Sequence, residues 1–313
     1  MFKALKVLIA LSVLMAAACS EPRTPALRVG TNLWIGYEPL YLARELAYMD
    51  DDKIRLVEYT STSQALKAYR NGLLDAVAVT LDEAIALLDT GERVKVVLVM
   101  DISNGADVLL GDPLINDISA IKGKRIGFEH TALGTYFVSR ALEVNQINQN
   151  DVYLVPLEVD QHERAFLEQQ VDVVATFEPI RSRLLASGAK VLFDSSQIPG
   201  EIVDVLIVNG EKLLSHKDHI KHLNDAWFKA LKQIKNNPVA VSEILDKRMK
   251  IGSENIIKSL EGIKFPDQKL NKQMLFGRPE PAMLSTSRKL SQAMYDNKLI
   301  SAFVETDQLF TEQ

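Results

Sequence analysis

The sequence predicts an α/β protein made of two lobes and a helical C-terminal tail. Three observations carry this. Short apolar, strand-like runs alternate with helix-like patterns from Leu27 onward, as in sheets covered by helices on both faces. The alternation breaks near residues 102–106 and restarts, then breaks again near 195–205. Beyond His216 strand-like runs are expected to cease and helical periodicity to take over.

In chain order, strands are expected at Leu27–Thr31, Ile54–Tyr59, Ala76–Thr80 and Val94–Met100, forming a mostly parallel sheet. Helical spacing of apolar residues lies between them at Leu40–Met49, Ser63–Asn71 and Leu81–Asp89. Asn71-Gly72 and Thr90-Gly91 act as helix stops. A second unit follows, with strands at Asp107–Leu110, Arg125–Phe128, Val152–Leu157, Val171–Thr176 and Lys190–Phe193. Its helices are expected at Gly134–Val144, Glu163–Gln169 and Pro179–Ala186. Pro199-Gly200 interrupts before the very apolar Ile202–Val208. The tail reads as helices over Leu223–Asn236, Val239–Met249, Glu254–Leu260 and Ser285–Asp296. Two lobes joined by two strand-like crossings form a hinge architecture. The expected division is 27–103 plus 205–313 for the first lobe, with the tail packed on it, and 104–204 for the second.

The 313 residues are 47% apolar and 25% charged, an ordinary globular composition, and the net charge of −5 comes without a basic block. Nucleic acid is therefore not an expected partner. Residues 1–18 read as a signal peptide: Lys3 and Lys6, an apolar run from Val7 to Met15, then three alanines. The run is too short for a comfortable membrane span. Cys19, the sole cysteine, follows directly and allows no disulfide within the chain. This arrangement resembles the bacterial lipoprotein signal, with Ala16 where leucine is usual, and it implies lipidation of Cys19. Plain secretion is the alternative. Without residues 1–18 the charge becomes −7, and residues 19–26 serve as lipidated cysteine and tether.

Residues 28–47, RVGTNLWIGYEPLYLARELA, resemble the opening of solute-binding proteins for nitrate, sulfonate, taurine and thiamine-pyrimidine uptake. The resemblance continues in Asn71-Gly72-Leu73-Leu74-Asp75-Ala76, in Ile121-Lys122-Gly123-Lys124-Arg125-Ile126-Gly127, where Ile121 replaces a leucine, and in Val171-Asp172-Val173-Val174. It covers about residues 27–210. It implies a type II periplasmic-binding-protein fold, closure on a small molecule, and delivery to an inner-membrane ABC permease. It also implies a location at the periplasmic face of a bacterial membrane, inner or outer, as a monomer without cofactor or metal.

In open α/β sheets, ligands bind beyond the carboxyl ends of the strands. Those ends offer Asn32, Trp34, Tyr37, Thr60, Ser61, Thr80, Asp82 and Asp101 in the first lobe. The second offers His130, Thr131, Thr135, Asp160, Glu178 and Arg181. Thr62 and Asp82 could equally cap helices, and Thr60 and Thr80 could simply finish strands. Trp34 and Tyr37 flank Gly36 in a turn, where a large ring stays exposed unless a ligand or lobe covers it. Among the cleft candidates, Asp82, Asp101, Glu129, Glu158, Asp160 and Glu178 are acidic, and Arg181 is the one strong cation. The acidic excess favours an amino-bearing or heteroaromatic ligand, such as a thiamine-precursor pyrimidine. A sulfonate or nitrate bound by helix N-termini at 61–63 and 131–135 stands second.

Asp160, His162 and Glu163 in EVDQHERAF could suggest acid–base work, but no serine elbow, phosphate-cradling glycine loop or cysteine nucleophile accompanies them. His162 is expected at a helix start. The related pyrimidine synthases carry a cysteine-rich motif that is lacking here. His216, His219 and His222 spread too widely on a helix for a tight metal site and are expected at a solvated helix start. Trp227 and Phe228 are expected in packing. Alternatives to the transport receptor are a ligand sensor for a membrane signalling protein, and a pyrimidine-forming or hydrolytic enzyme on the same frame.

Overall fold

The computed structural model describes residues 24–310, so the expectations for the signal peptide and Cys19 lie outside the described residues. Its first half contains β1 (Leu27–Asn32), α1 (Glu38–Glu45), β2 (Ile54–Tyr59), α2 (Thr62–Arg70), β3 (Ala76–Thr80), α3 (Leu81–Asp89) and β4 (Val94–Ser103). The chain then builds β5 (Val108–Gly111), β6 (Arg125–Phe128), α4 (Ala132–Val144), β7 (Tyr153–Pro156), α5 (Val159–Leu167), β8 (Val173–Thr176), α6 (Ile180–Ala186) and β9 (Lys190–Asp194). It returns through β10 (Val203–Asn209). The tail comprises α7 (Lys217–Asn236), α8 (Pro238–Met249), α9 (Ser253–Glu261), β11 (Ile263–Lys264), α10 (Gln268–Phe276) and α11 (Ala282–Asp296).

Two sheets result, ordered β11-β4-β10-β3-β1-β2 and β7-β6-β8-β5-β9. The expectation of mostly parallel sheets is corrected. β1 runs parallel to β2 and β3, but β10 is antiparallel to both β3 and β4. In the second sheet β6 is parallel to β7 and β8, whereas β5 is antiparallel to β8 and β9. Connectivity is the reason. The chain leaves the first sheet at the carboxyl end of β4 and returns at that same end, so β10 must run the opposite way. β5 likewise starts from the cleft and runs away from it.

The two crossings lie side by side. Ser103 N–H donates to the Ile202 carbonyl at 3.1 Å, the Ser103 and Ser195 hydroxyls are 2.7 Å apart, and Gly105 N–H donates to Ser195 Oγ at 2.7 Å. Gly105, at φ +114°, supplies a backbone conformation that side-chain-bearing residues rarely adopt.

The tail adds a strand that the sequence reading did not expect. β11 pairs Ile263 with Ser103 and Lys264 with Ile102, too short a pairing to leave a periodic signal. α10 was also missed; Asp267 caps it with 2.7 Å to Leu270 N–H. The helix expected at Leu40–Met49 starts earlier, with Pro39 in its first turn, and stops before Ala47 at φ +54°. His216 is buried rather than solvated, immediately before α7, and His222 Nε2 accepts from Asp50 N–H at 2.9 Å. Trp227 is fully buried, edge-on to Phe265.

One apolar core runs through both sheets' surroundings, taking in Leu40, Leu98, Leu206 and Trp227 together with Val174, Phe177 and Ile180. Burial of this kind, at roughly 25 cal/mol per Å² of apolar surface, is what holds the lobes against each other. Among the described residues no helix is long and apolar enough to cross a membrane.

Candidate functional site

Trp34 and Tyr37 answer for the turn between β1 and α1. Both are nearly fully buried, at 4% and 3% exposure. A 3₁₀ turn over Ile35–Tyr37 folds them inward toward the carboxyl end of the first sheet. Trp34 Nε1–H donates to Asp101 Oδ2 at 3.2 Å, and Tyr37 O–H donates to Asp204 Oδ1 at 2.5 Å. The Trp34 ring meets Phe177, just beyond β8, edge-on, centroids 5.4 Å apart. Gly36 is required between them: a Cβ there would lie 2.1 Å from Asp101 Oδ2 and 2.3 Å from Trp34 Nε1.

These rings border a cavity lined by Asn32, Trp34, Tyr37, Thr62, Thr80, Glu83, Asp107, Leu133, Phe177 and Asp204. Its walls come from both lobes. Its volume of about 20 Å³ suits one water-sized guest, so the lobes are shut. A neighbouring cavity of about 30 Å³ shares Asp107, Leu133 and Phe177 and adds Glu129, Thr131, Gly134, His162 and Thr176.

The electrostatics are unusual. Asp82, Glu83, Asp101, Asp107 and Asp204 are all buried around the junction. Burial, which penalises the charged form, pushes Asp82 up to about 6, Asp107 to about 7, Glu83 and Asp101 to about 8, and Asp204 well above its ordinary range. Mutual repulsion adds to this: Asp82 raises Glu83, and Asp101 raises Asp204. Glu83 Oε2 accepts from Thr80 N–H at 3.1 Å. Its Oε1, with Asp82 Oδ2, Asp101 Oδ1 and Asp107 Oδ2, is buried without a hydrogen-bond partner. Such groups cost free energy until a donor reaches them.

The remaining expected residues distribute as follows. Ser61 is buried and is the true N-cap of α2, where Thr62 was considered; Thr80, with Glu83 at the third helical position, begins α3, where Asp82 was considered. Thr131 caps α4 and lines the second cavity. Thr135 donates to the Thr131 carbonyl at 2.8 Å. Thr60 and Asp160 line a separate outer groove of about 340 Å³, together with Glu58, Glu163 and Arg183. His130 is exposed, edge-on to Phe128. Glu178 is fully buried and accepts from Arg181 at 3.1 Å, Ser182 at 3.0 Å and Ser259 at 3.0 Å. Its binding capacity is thus taken by the protein. His162, inside α5, sits 3.3 Å from Thr176 Oγ1 and is pushed down to about 4 by burial.

Sequence reading missed Glu83, Asp107, Asp204 and Phe177. For Asp204 a signal existed: it is the one acid inside the apolar run Ile202–Val208. A larger concavity, about 620 Å³, lies elsewhere, between α4, the turn at 199–201 and α11. There Tyr136 and Arg140 both bind Glu201, at 2.8 and 2.7 Å, so its buried polar groups are satisfied. The small junction cavity, with unpartnered carboxylates in its walls, is the better candidate. Among the described residues no group of three or more His, Cys, Asp or Glu could hold a metal ion.

The profile of the NMT1-like family matches residues 20–245. No curated protein matches significantly. Among solved structures, the alkanesulfonate-binding protein SsuA from Xanthomonas axonopodis pv. citri bound to MOPS superposes with a TM-score of 0.77 at 17% identity, over 92% of this chain and 98% of that one. The periplasmic aliphatic sulphonate binding protein SsuA from Escherichia coli gives 0.73 at 19% identity, over 93% and 98%. The ligand binding component of an ABC-type import system from Staphylococcus aureus, with zinc bound, gives 0.75 at 16% identity, over 92% and 96%. At these identities the likeness establishes the fold, that of periplasmic binding proteins with two α/β lobes.

Proposed function

The chain belongs to the NMT1-like family, and from that premise we propose that it is the extracytoplasmic solute-binding protein of an ABC importer, specific for a small amino-bearing solute. Cys19 carries a lipid that anchors it to the periplasmic face of a membrane, and the shut form is what an inner-membrane permease recognises. It acts by binding, without catalysis and as a monomer.

The observation that carries the ligand class is the ring of buried carboxyl groups with unpartnered oxygens at the lobe junction. An amino group supplies what these groups lack, namely N–H donors and, when protonated, positive charge. The walls add the Trp34 and Phe177 rings, suited to a flat or cationic guest. Opening the lobes enlarges the junction enough to admit the solute. On closure the ammonium takes the place of protons that the carboxyls otherwise retain. His162, buried and held neutral, is shaped by packing rather than for proton transfer.

Calorimetric titration tests this with the soluble chain beginning after Cys19. Aminopyrimidines and small primary amines are expected to bind, and methanesulfonate is not. Binding of the sulfonate with no response to any amine would overturn the ligand class. Native mass spectrometry of freshly purified protein would identify a retained guest.

A further inference from the structure

Two carboxylates of the second lobe reach across the cleft to the first turn of α2. Glu129 Oε1 accepts from Ser63 N–H at 2.9 Å and from its hydroxyl at 2.7 Å. Glu158 Oε2 accepts from the Ser61 hydroxyl at 2.6 Å and lies 2.8 Å from the Ser63 oxygen, whose single proton it shares with Glu129. Ser61 in turn caps α2, taking Gln64 N–H at 3.4 Å. Glu158 is itself the N-cap residue of α5, and Gln161 closes the capping box by accepting from Glu158 N–H at 3.2 Å.

The amino ends of two helices, one from each lobe, therefore converge on one carboxylate, with a second beside it. Each such end carries roughly half a positive charge and several unpaired N–H groups. This is the setting that ordinarily receives an oxyanion. Ser61 is fully buried and Glu129 nearly so, which excludes competing water; burial raises the Glu129 carboxyl, and the bonds from Ser63 pull it back toward the charged form. An oxyanion from solution would meet two negative groups already seated on the donors it needs.

We infer that Glu129 and Glu158 are specificity-determining residues: built-in anions that fill the oxyanion seat between the lobes, exclude sulfonate-like solutes and latch the lobes shut. Substrate selection then rests on two devices. The seat rejects anions, and the neighbouring carboxyl-lined cavity receives the solute.

The test pairs the wild-type chain with the double variant Glu129→Ala/Glu158→Ser, in which serine preserves a favourable helix cap. Both are titrated with methanesulfonate and with inorganic sulfate by calorimetry, after circular dichroism has verified folding. The double variant is expected to bind at least one of these anions at least about tenfold more tightly than the wild type. Small-angle scattering is expected to show a larger radius of gyration that shrinks when the anion is added. A folded variant without the gain in anion affinity overturns the inference, whatever the scattering shows. If the double variant does not fold, the wild type decides: micromolar binding of methanesulfonate overturns the inference, and its absence at millimolar concentration supports it. Amine binding is a separate readout and does not enter either outcome.

Discussion

Asp101 and Asp204 stand opposite each other in the antiparallel register of β4 and β10. Each takes a hydrogen bond from one of the two rings in the turn after β1, Trp34 for Asp101 and Tyr37 for Asp204. Exit and return strands of the hinge thus place a pair of acids face to face at the lobe junction. Two buried carboxyls this close do not ionise together, and burial raises both. In the ligand-free chain protons neutralise the pair, which makes it a store of instability; under the function proposed above, a cationic guest would take their place.

A pH dependence of stability follows. Asp101, Glu83 and Asp107 hold their protons in the folded chain up to about 8, 8 and 7, against ordinary values near 4 in the unfolded chain. In that window the folded state binds more protons, so the contribution of these groups is fully present below about 4 and is lost as pH rises toward 8. Urea unfolding of the ligand-free protein at pH 5, 6, 7 and 8 is expected to show a midpoint that decreases steadily. A flat or rising midpoint would contradict buried, unpaired carboxyls.

Asp101→Asn removes one acid of the pair while keeping an acceptor for Trp34. It is expected to raise the urea midpoint at pH 8 more than at pH 5, since only at high pH is ionisation a cost. The same change should weaken binding of a cationic amine by about tenfold or more, near 1.4 kcal/mol. Tightened amine binding in calorimetry would show that Asp101 does not face the solute.

Gly36→Ala tests whether the turn geometry sets the site. The added methyl would fall within 2.1 Å of Asp101 Oδ2 and 2.3 Å of Trp34 Nε1, well inside contact. The indole is expected to leave its bond to Asp101, with a red shift of tryptophan emission and an amine affinity lower by about tenfold. Trp227, buried in the core, supplies an unchanged background. An unshifted spectrum with unchanged affinity would show that the turn relaxes freely.

Much of the frame was legible because it is written in periodicity. β2, β3, β6 and α3 carry short strand-like runs or helical spacing, and their bounds coincide with the expected ones. Sheet direction was not legible, because a near-continuous apolar run such as β10 does not encode its orientation and only the hinge connectivity reverses it. The site was half legible. Trp34, Tyr37, Asn32 and Thr80 follow from the rule of strand ends, and the structure gathers them on one cavity. Asp107 and Asp204 sit where a strand begins from the cleft, and no rule about carboxyl ends reaches them. Glu178 followed the rule but spends its oxygens on Arg181, Ser182 and Ser259, a set of contacts that only the fold brings together.

The tail supplies the last prediction. Arg248 of α8 lies over the Tyr41 ring, 3.6 Å from its centroid, and binds Glu38 at 3.1 Å and also Glu58. Glu38 is 1% exposed, and burial pushes it to about 7 even though Arg248 pulls the other way. Arg248→Ala removes that pull, so the carboxyl keeps its proton to higher pH, and stability is expected to fall most above pH 7, where Arg248 otherwise lets it ionise. The charge-linked loss should vanish at pH 5, where Glu38 holds its proton with or without Arg248. Adding Glu38→Gln to Arg248→Ala should recover part of the loss, because the uncompensated charge is then gone. Equal destabilisation at pH 5 and pH 8, with no recovery in the double variant, would mean that Arg248 acts through its stacking on Tyr41 rather than through its charge.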